Sequence, residues 1–273
     1  MKELSIRAIS GAVYVSLLIG SLYIQEALIA LLAIFGLISL AELSKLIKLK
    51  SFVQYIIFLL FYGGFWYLCL LRKNLTGSDE AIQILLVITI FVNLILIKDL
   101  FASKRIPLFE SKRYIVTTFY LTSGFVFMLL IANYQYEFTP RLLLGGFILI
   151  WVNDSAAYFT GKNFGKQKLF PSVSPKKTVE GFLGGLFFAC ISSYFIATYT
   201  ETLSFTSWLI LAIIVSVFGA LGDLIESKFK RQAGVKDSGV IMPGHGGLLD
   251  RLDSIIFAAP FIYLFLRILN YVS

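Results

Sequence analysis

The chain has 273 residues, 58% of them hydrophobic and only 15% charged, with a mean hydropathy of +0.84. A soluble domain carries about a quarter charged residues, so a soluble globular fold and intrinsic disorder are both excluded, and the lack of short alternating segments excludes a transmembrane barrel. The 24 Lys and Arg against 16 Asp and Glu, a net charge of +8, point to orientation in a membrane and contact with anionic head groups rather than to nucleic acid.

A spanning helix needs roughly 20 apolar residues, and the composition predicts an all-α integral membrane protein. It reads as a polytopic bundle of about nine transmembrane helices, at roughly 8–24, 27–43, 52–71, 81–97, 114–132, 142–160, 179–199, 206–227 and 249–270. The first follows Lys2 and Arg7 and shows no small-residue cleavage site, so it is expected to be retained rather than removed as a secretory signal. Cys69 and Cys190 sit inside apolar runs as small hydrophobes, not as a disulfide framework or thiolate zinc site. All of the 24 Lys and Arg except Arg72, Lys73, Arg141 and Arg267 fall in segments on the N-terminal side of the membrane. That bias places the N-terminus in the cytoplasm and the C-terminus outside.

Residues 1–133, about five spans, form a scaffold with few polar side chains, in which Glu42 and Lys98 near span ends are expected to snorkel to the interface. Residues 134–273, about four spans, carry the polar features of what is expected to be a single compact unit. Their loops 161–178 and 228–248, rich in Gly, Lys and Pro, both fall on the cytoplasmic side.

An ionisable group within a span needs a reason, since an aspartate at a helix centre is unfavourable by about 3 kcal/mol. Asp154 lies in the sixth span, roughly 12 Å of helix before Lys162. Asp223, Glu226 and Ser227 share a face near the end of the eighth span, and Asp250, Arg251 and Asp253 open the ninth. Glu226 and Asp253 also admit a plainer reading as ion-pair or capping partners. Asp223 and Asp250 bracket one loop at the same depth, and paired carboxylates there suit a hard cation such as Mg²⁺. The loop between them combines Lys228, Lys230, Arg231 and Lys236 with glycines whose backbone amides suit a polyphosphate. His245, the single histidine, sits among those glycines as a substrate contact rather than a general base. Gly165-Lys166 resembles a P-loop only superficially: the spacing is short, Gln167 replaces the hydroxyl, and no strand precedes it. Ser174-Pro175-Lys176-Lys177-Thr178 reads as a helix start with donors at its positive end, and Gly181 and Gly185 as a close-packing pair.

Ser227-Lys-Phe-Lys-Arg231, Lys236-Asp237-Ser-Gly239 and Pro243-Gly-His-Gly-Gly247 through Asp250-Arg-Leu-Asp253 resemble the signature of the phosphatidate cytidylyltransferases, the CDP-diacylglycerol synthases. Asn153-Asp154-Ser-Ala-Ala-Tyr158 and Ser174-Pro-Lys-Lys-Thr-Val-Glu-Gly181 are similar to that family's other blocks. The first half matches only in hydropathic pattern, and Met242 departs from the family's usual Leu, Ile or Phe. The resemblance implies a multi-span homodimer making CDP-diacylglycerol and pyrophosphate from CTP and phosphatidic acid. It also implies a divalent metal at Asp223 and Asp250, with a monovalent cation such as K⁺ nearby.

A phosphate monoester is already an anion, so its attack on the CTP α-phosphorus needs positioning and charge neutralisation rather than a base. On this reading Asp223 and Asp250 hold Mg²⁺ against the triphosphate, which Lys228, Arg231 and Lys236 neutralise. Ser174, Lys176 and Lys177 cradle phosphate from the other loop, and Asp237, His245, Gly246 and Gly247 contact substrate. Arg251 anchors phosphatidate or the leaving pyrophosphate, and Asp154 joins the metal shell or orients a lysine. The expected setting is the inner membrane with the site facing the cytoplasm and a funnel opening sideways to lipid. Another membrane lipid kinase or nucleotide-dependent transferase, or an ion-coupled transporter, are the competing readings.

Overall fold

The computed structural model describes residues 2–68, 77–102 and 105–272. Cys69, Arg72, Lys73 and Lys104, and the side chain of Lys2, lie outside the described residues, with the expectations attached to them. Among the described residues ten α-helices follow in chain order: α1 (Lys2–Ser21), α2 (Gln25–Leu46), α3 (Val53–Trp66), α4 (Ser78–Ala102), α5 (Glu110–Ile115), α6 (Ser123–Ala132), α7 (Pro140–Phe164), α8 (Val179–Thr200), α9 (Phe205–Ala233) and α10 (Leu249–Val272). Among the described residues, 7 helical stretches are long and apolar enough to cross a membrane, and Ile6–Ser21 and Val53–Trp66 are shorter apolar helices. The chain is thus an all-α polytopic membrane protein, as its composition dictates.

The stretch from Glu110 to Tyr136 is one apolar rod in which a π-helical segment, Val116–Thr122, joins α5 to α6. Every residue of α6 is buried, as a helix apolar all round should be. It is the core against which the others pack: a Cβ on Gly124 would lie 2.7 Å from the Ile256 carbonyl oxygen of α10. The pair α7 and α8 and the pair α9 and α10 pack most extensively. Gly181 and Gly185 serve the close packing their spacing predicts, since Cβ atoms there would come within 2.9 Å of the Ala157 oxygen and 2.7 Å of the Asn153 oxygen of α7.

Both expected loops turn out more ordered than loops. Lys168–Phe170 (β1) and Ser174–Thr178 (β2) form an antiparallel hairpin with Lys168 opposite Thr178 and Phe170 opposite Ser174. Helix α8 begins only after it, with Thr178 as N-cap accepting from Gly181 N at 3.1 Å. Ser174 to Lys177 are therefore strand residues, not the first turn of a helix. On the other side α9 continues past its apolar stretch to Ala233 and is closed by Gly234 at φ +75°, so Lys228, Lys230 and Arg231 are helical rather than loop residues.

Candidate functional site

The site is built where α9 and α10 touch. A Cβ on Gly222 would lie 2.7 Å from the Asp253 carbonyl oxygen and 2.6 Å from Phe257 Cβ, and this close approach brings the acids of the two helices together. Asp223, Glu226 and Asp253 offer carboxylate oxygens all within 4.8 Å of one another. Two like charges at that distance repel by roughly 3 kcal/mol even at an effective dielectric near 20. Glu226 is 0% exposed and, among the described residues, its Oε1 has no hydrogen-bond partner, a buried acceptor left unsatisfied.

Two lysines answer part of this charge. Lys230 Nζ bridges Glu226 Oε2 at 2.5 Å and Asp250 Oδ1 at 2.6 Å. Lys177, on β2, forms an ion pair with Asp223, whose other oxygen accepts from Ser227 Oγ at 3.1 Å. Burial lowers the proton affinity of the Lys177 ammonium, but Asp223 beside it more than compensates and holds it above the ordinary lysine range. Among the described residues no Lys or Arg forms an ion pair with Asp253. Asp154, exposed on α7 and accepting from Asn153 Nδ2 at 3.3 Å, lies within electrostatic reach of Asp223, Lys177 and Arg251.

Asp250 is placed differently from the expectation that pairs it with Asp223. It sits one turn before Asp253, across Lys230, and its Oδ2 accepts from Ser238 N at 2.9 Å, Ser238 Oγ at 2.9 Å and Gly247 N at 2.8 Å. It ties the 234–248 loop to α10. The loop's amides are largely used within the protein: His245 N and Gly246 N both donate to the Met242 oxygen, at 2.9 and 3.1 Å. Gly246, at φ +91°, makes the tight turn that this requires.

A second carboxylate clasps the same loop, and it comes from the scaffold half. Glu42 on α2 is only 3% exposed, so it does not snorkel to the interface. Its Oε2 accepts from Leu249 N at 2.7 Å and Ser238 Oγ at 3.1 Å, and its Oε1 from Leu248 N at 3.1 Å. It thereby caps the positive N-terminal end of α10. Gly239 and Gly247 lie so close that a Cβ on either would collide with the Glu42 carboxylate.

The remaining cations divide. Lys228 is 4% exposed and donates to the carbonyl oxygens of Asp99 and Leu100 at 2.9 Å each. It closes the C-terminal end of α4, where helical carbonyls favour a cation, and is not directed at a triphosphate. Arg231 is exposed and links α9 to the hairpin through the Val173 oxygen at 3.4 Å. Lys176, Lys236 and Asp237 are exposed, and Ser174 is half-buried. Because strand residues alternate faces, Lys177 points to the acids while Ser174 and Lys176 occupy the opposite face of β2. Exposed Arg251 donates to the His245 oxygen at 2.9 Å. The His245 imidazole, 2.7 Å from Ser10 Oγ, is pushed below its ordinary pKa by burial and by the charges of Arg251 and Arg7.

A model of the "Cytidylyltransferase family" matches residues 5–269, nearly the whole chain. The chain belongs to this family. Among curated cytidylyltransferases it is similar to the protein named phosphatidate cytidylyltransferase in Bacillus subtilis (strain 168), 48% identical over 124 residues, which are 45% of this chain and 46% of the relative. The protein of the same name in Staphylococcus aureus (strain COL) is 48% identical over 126 residues, 45% of this chain and 48% of the relative. That of Staphylococcus epidermidis is 46% identical over 128 residues, 46% and 49% of the two. The chain spans about half the length of the curated relatives it matches.

Within this cytidylyltransferase fold, two contacts to the 234–248 loop are not expected from the sequence: Glu42, expected only to snorkel to the interface, clasps the loop, and Ser10 donates to it. Both belong to apolar N-terminal helices, and their partners lie 196 and 235 residues away in sequence. A Glu in an otherwise apolar span was the available signal for Glu42; Ser10 carries none.

Proposed function

We propose that this cytidylyltransferase-family protein transfers CMP from CTP to phosphatidic acid, yielding CDP-diacylglycerol and pyrophosphate. The observation that carries the reading is the cluster of Asp223, Glu226 and Asp253 facing Lys177, a compact charged centre at one end of apolar spans. There a lipid phosphate and a soluble triphosphate can meet.

The donor set, carboxylate oxygens alone, suits Mg²⁺, and Asp223, Glu226 and Asp253 are the residues that would hold it, with Asp250 their neighbour across Lys230. When bound, such an ion screens the triphosphate charge and favours departure of pyrophosphate. A K⁺ ion beside it is compatible with the surplus of acids. Lys177, paired with Asp223 and held above the ordinary lysine range, supplies a protein cation for a phosphate oxygen. Lys176 and Lys236 are exposed and open to the solvent side, and Arg251 is available to the lipid phosphate. A phosphatidate oxygen forms the new bond to the α-phosphorus while the bond to the β-phosphate oxygen breaks. No side chain has to remove a proton, because the nucleophile is already an anion.

The proposed setting is the bacterial inner membrane, with the site toward the cytoplasm where CTP is found, in a homodimer. The charge bias of the connecting segments supports that orientation. The test is purified protein in detergent with CTP labelled at the α-phosphorus, phosphatidic acid and Mg²⁺. The expected result is label in a lipid-soluble cytidine product. If label from the γ-position enters the lipid instead, the protein is a kinase.

A further inference from the structure

A groove of about 430 Å³ runs along α1, walled by Ile9, Val13 and Leu17, by Phe35 of α2, and by Ile241 and Pro243 of the loop. Ile9, Val13, Leu17 and Ile241 are exposed, and in a membrane-spanning bundle such a surface faces hydrocarbon. One end of the groove is polar. Ser10 Oγ donates to the Pro243 oxygen at 3.0 Å and lies 2.7 Å from His245 Nδ1. The Arg7 side chain lies against Gly244, and Arg7 and Arg251 both act electrostatically on His245. On the inner wall Tyr14 is only 8% exposed, and its hydroxyl is buried without a hydrogen-bond partner among the described residues. That hydroxyl is within electrostatic reach of Arg251 and Asp253, so the inner wall of the groove lies on the side of the acid cluster.

We propose that this groove seats an acyl chain of the lipid substrate, an anionic monophosphate lipid whose phosphate lies among Arg7, His245 and Arg251, with the Tyr14 hydroxyl donating to a lipid oxygen. The proposal rests on the cytidylyl-transfer reading above and adds α1 to the substrate site. A chain moving from bilayer to apolar groove gains little from the hydrophobic effect, because lipid tails are as apolar as the walls. The groove orients the lipid, and the cations and the unpartnered hydroxyl select its head group.

The experiment is photolabelling of the full chain in phosphatidylcholine nanodiscs, without CTP, using phosphatidic acid with a diazirine in its acyl chain. Cross-links are expected within residues 9–17 and 241–243, suppressed by unlabelled phosphatidic acid but not by added phosphatidylcholine. Labelling elsewhere, or equal suppression by both lipids, overturns the proposal. Kinetically, Val13→Trp fills the groove from an exposed position, and it and Tyr14→Phe should each raise KM for long-chain phosphatidate about five-fold with KM for CTP unchanged. An unchanged lipid KM in both variants also overturns it. A wild-type protein that makes no cytidine lipid refutes the transferase reading, while the labelling pattern still judges the groove.

Discussion

The hairpin between α7 and α8 and the loop between α9 and α10 close the same end of the bundle, but they are held in opposite ways. The hairpin is fastened at its surface: Glu180 accepts from Lys166 N at 2.9 Å and Gln167 N at 3.1 Å, and Lys176 stays exposed. The other loop is fastened from within, by Asp250 and Glu42, whose carboxylates take up Ser238, Gly247, Leu248 and Leu249 donors. Glycine-rich composition alone suggests an anion cradle in that loop. In the folded protein the anions it cradles are largely the protein's own, and the more strand-like segment is the one that offers lysines.

The two anchorages can be separated by mutation, and the acid cluster should show the largest effect of all. On the proposed reading, Asp223→Asn should lower CDP-diacylglycerol formation by more than about 100-fold and abolish the rise in thermal midpoint expected for the wild type on adding Mg²⁺; retained turnover at saturating Mg²⁺ would remove Asp223 from the centre. Glu42→Ala orphans the Leu248 and Leu249 amides, two donors to a buried carboxylate, and should destabilise the protein by about 3 kcal/mol in denaturant titrations, whereas Glu180→Ala at the hairpin should lose much less. Equal losses would erase the contrast between the loops. Gly247→Ala drives a methyl into Glu42 Oε2 and Oε1, 2.6 and 2.7 Å from an ideal Cβ, and should fall between them at about 2 kcal/mol. The smallest effect concerns acid. His245 binds its proton less readily folded than unfolded, so its contribution is present above the ordinary value of 6.5 and fades as pH falls below it. Stability measured from pH 7.5 to 5.5 should therefore decline less steeply in His245→Asn than in the wild type.

Long apolar runs made the membrane helices legible, because hydrocarbon thickness sets a length that few other segments reach. Asp223 stands out in the sequence as an acid within a span, yet its grouping with Glu226 and Asp253 rather than with Asp250 depends on the close contact at Gly222, which spacing along one helix does not reveal. Lys228 was misplaced because α9 outlasts its apolar stretch, and a lysine past that point looks solvated until the end of α4 is found beside it. The β2 strand was hidden by Ser, Pro and Lys, residues of poor strand propensity; pairing with β1 and the Glu180 clasp outweigh that propensity.

The position of Glu42 bears on how such a chain could be divided. Its carboxylate reaches from the second helix to the first residues of the last one, so the four C-terminal spans expressed alone would start α10 with bare amides and an unsupported turn. A split or chimaeric enzyme would have to carry that acidic clasp along, and swapping N-terminal halves between relatives is safe only where the donor supplies a glutamate at the same depth.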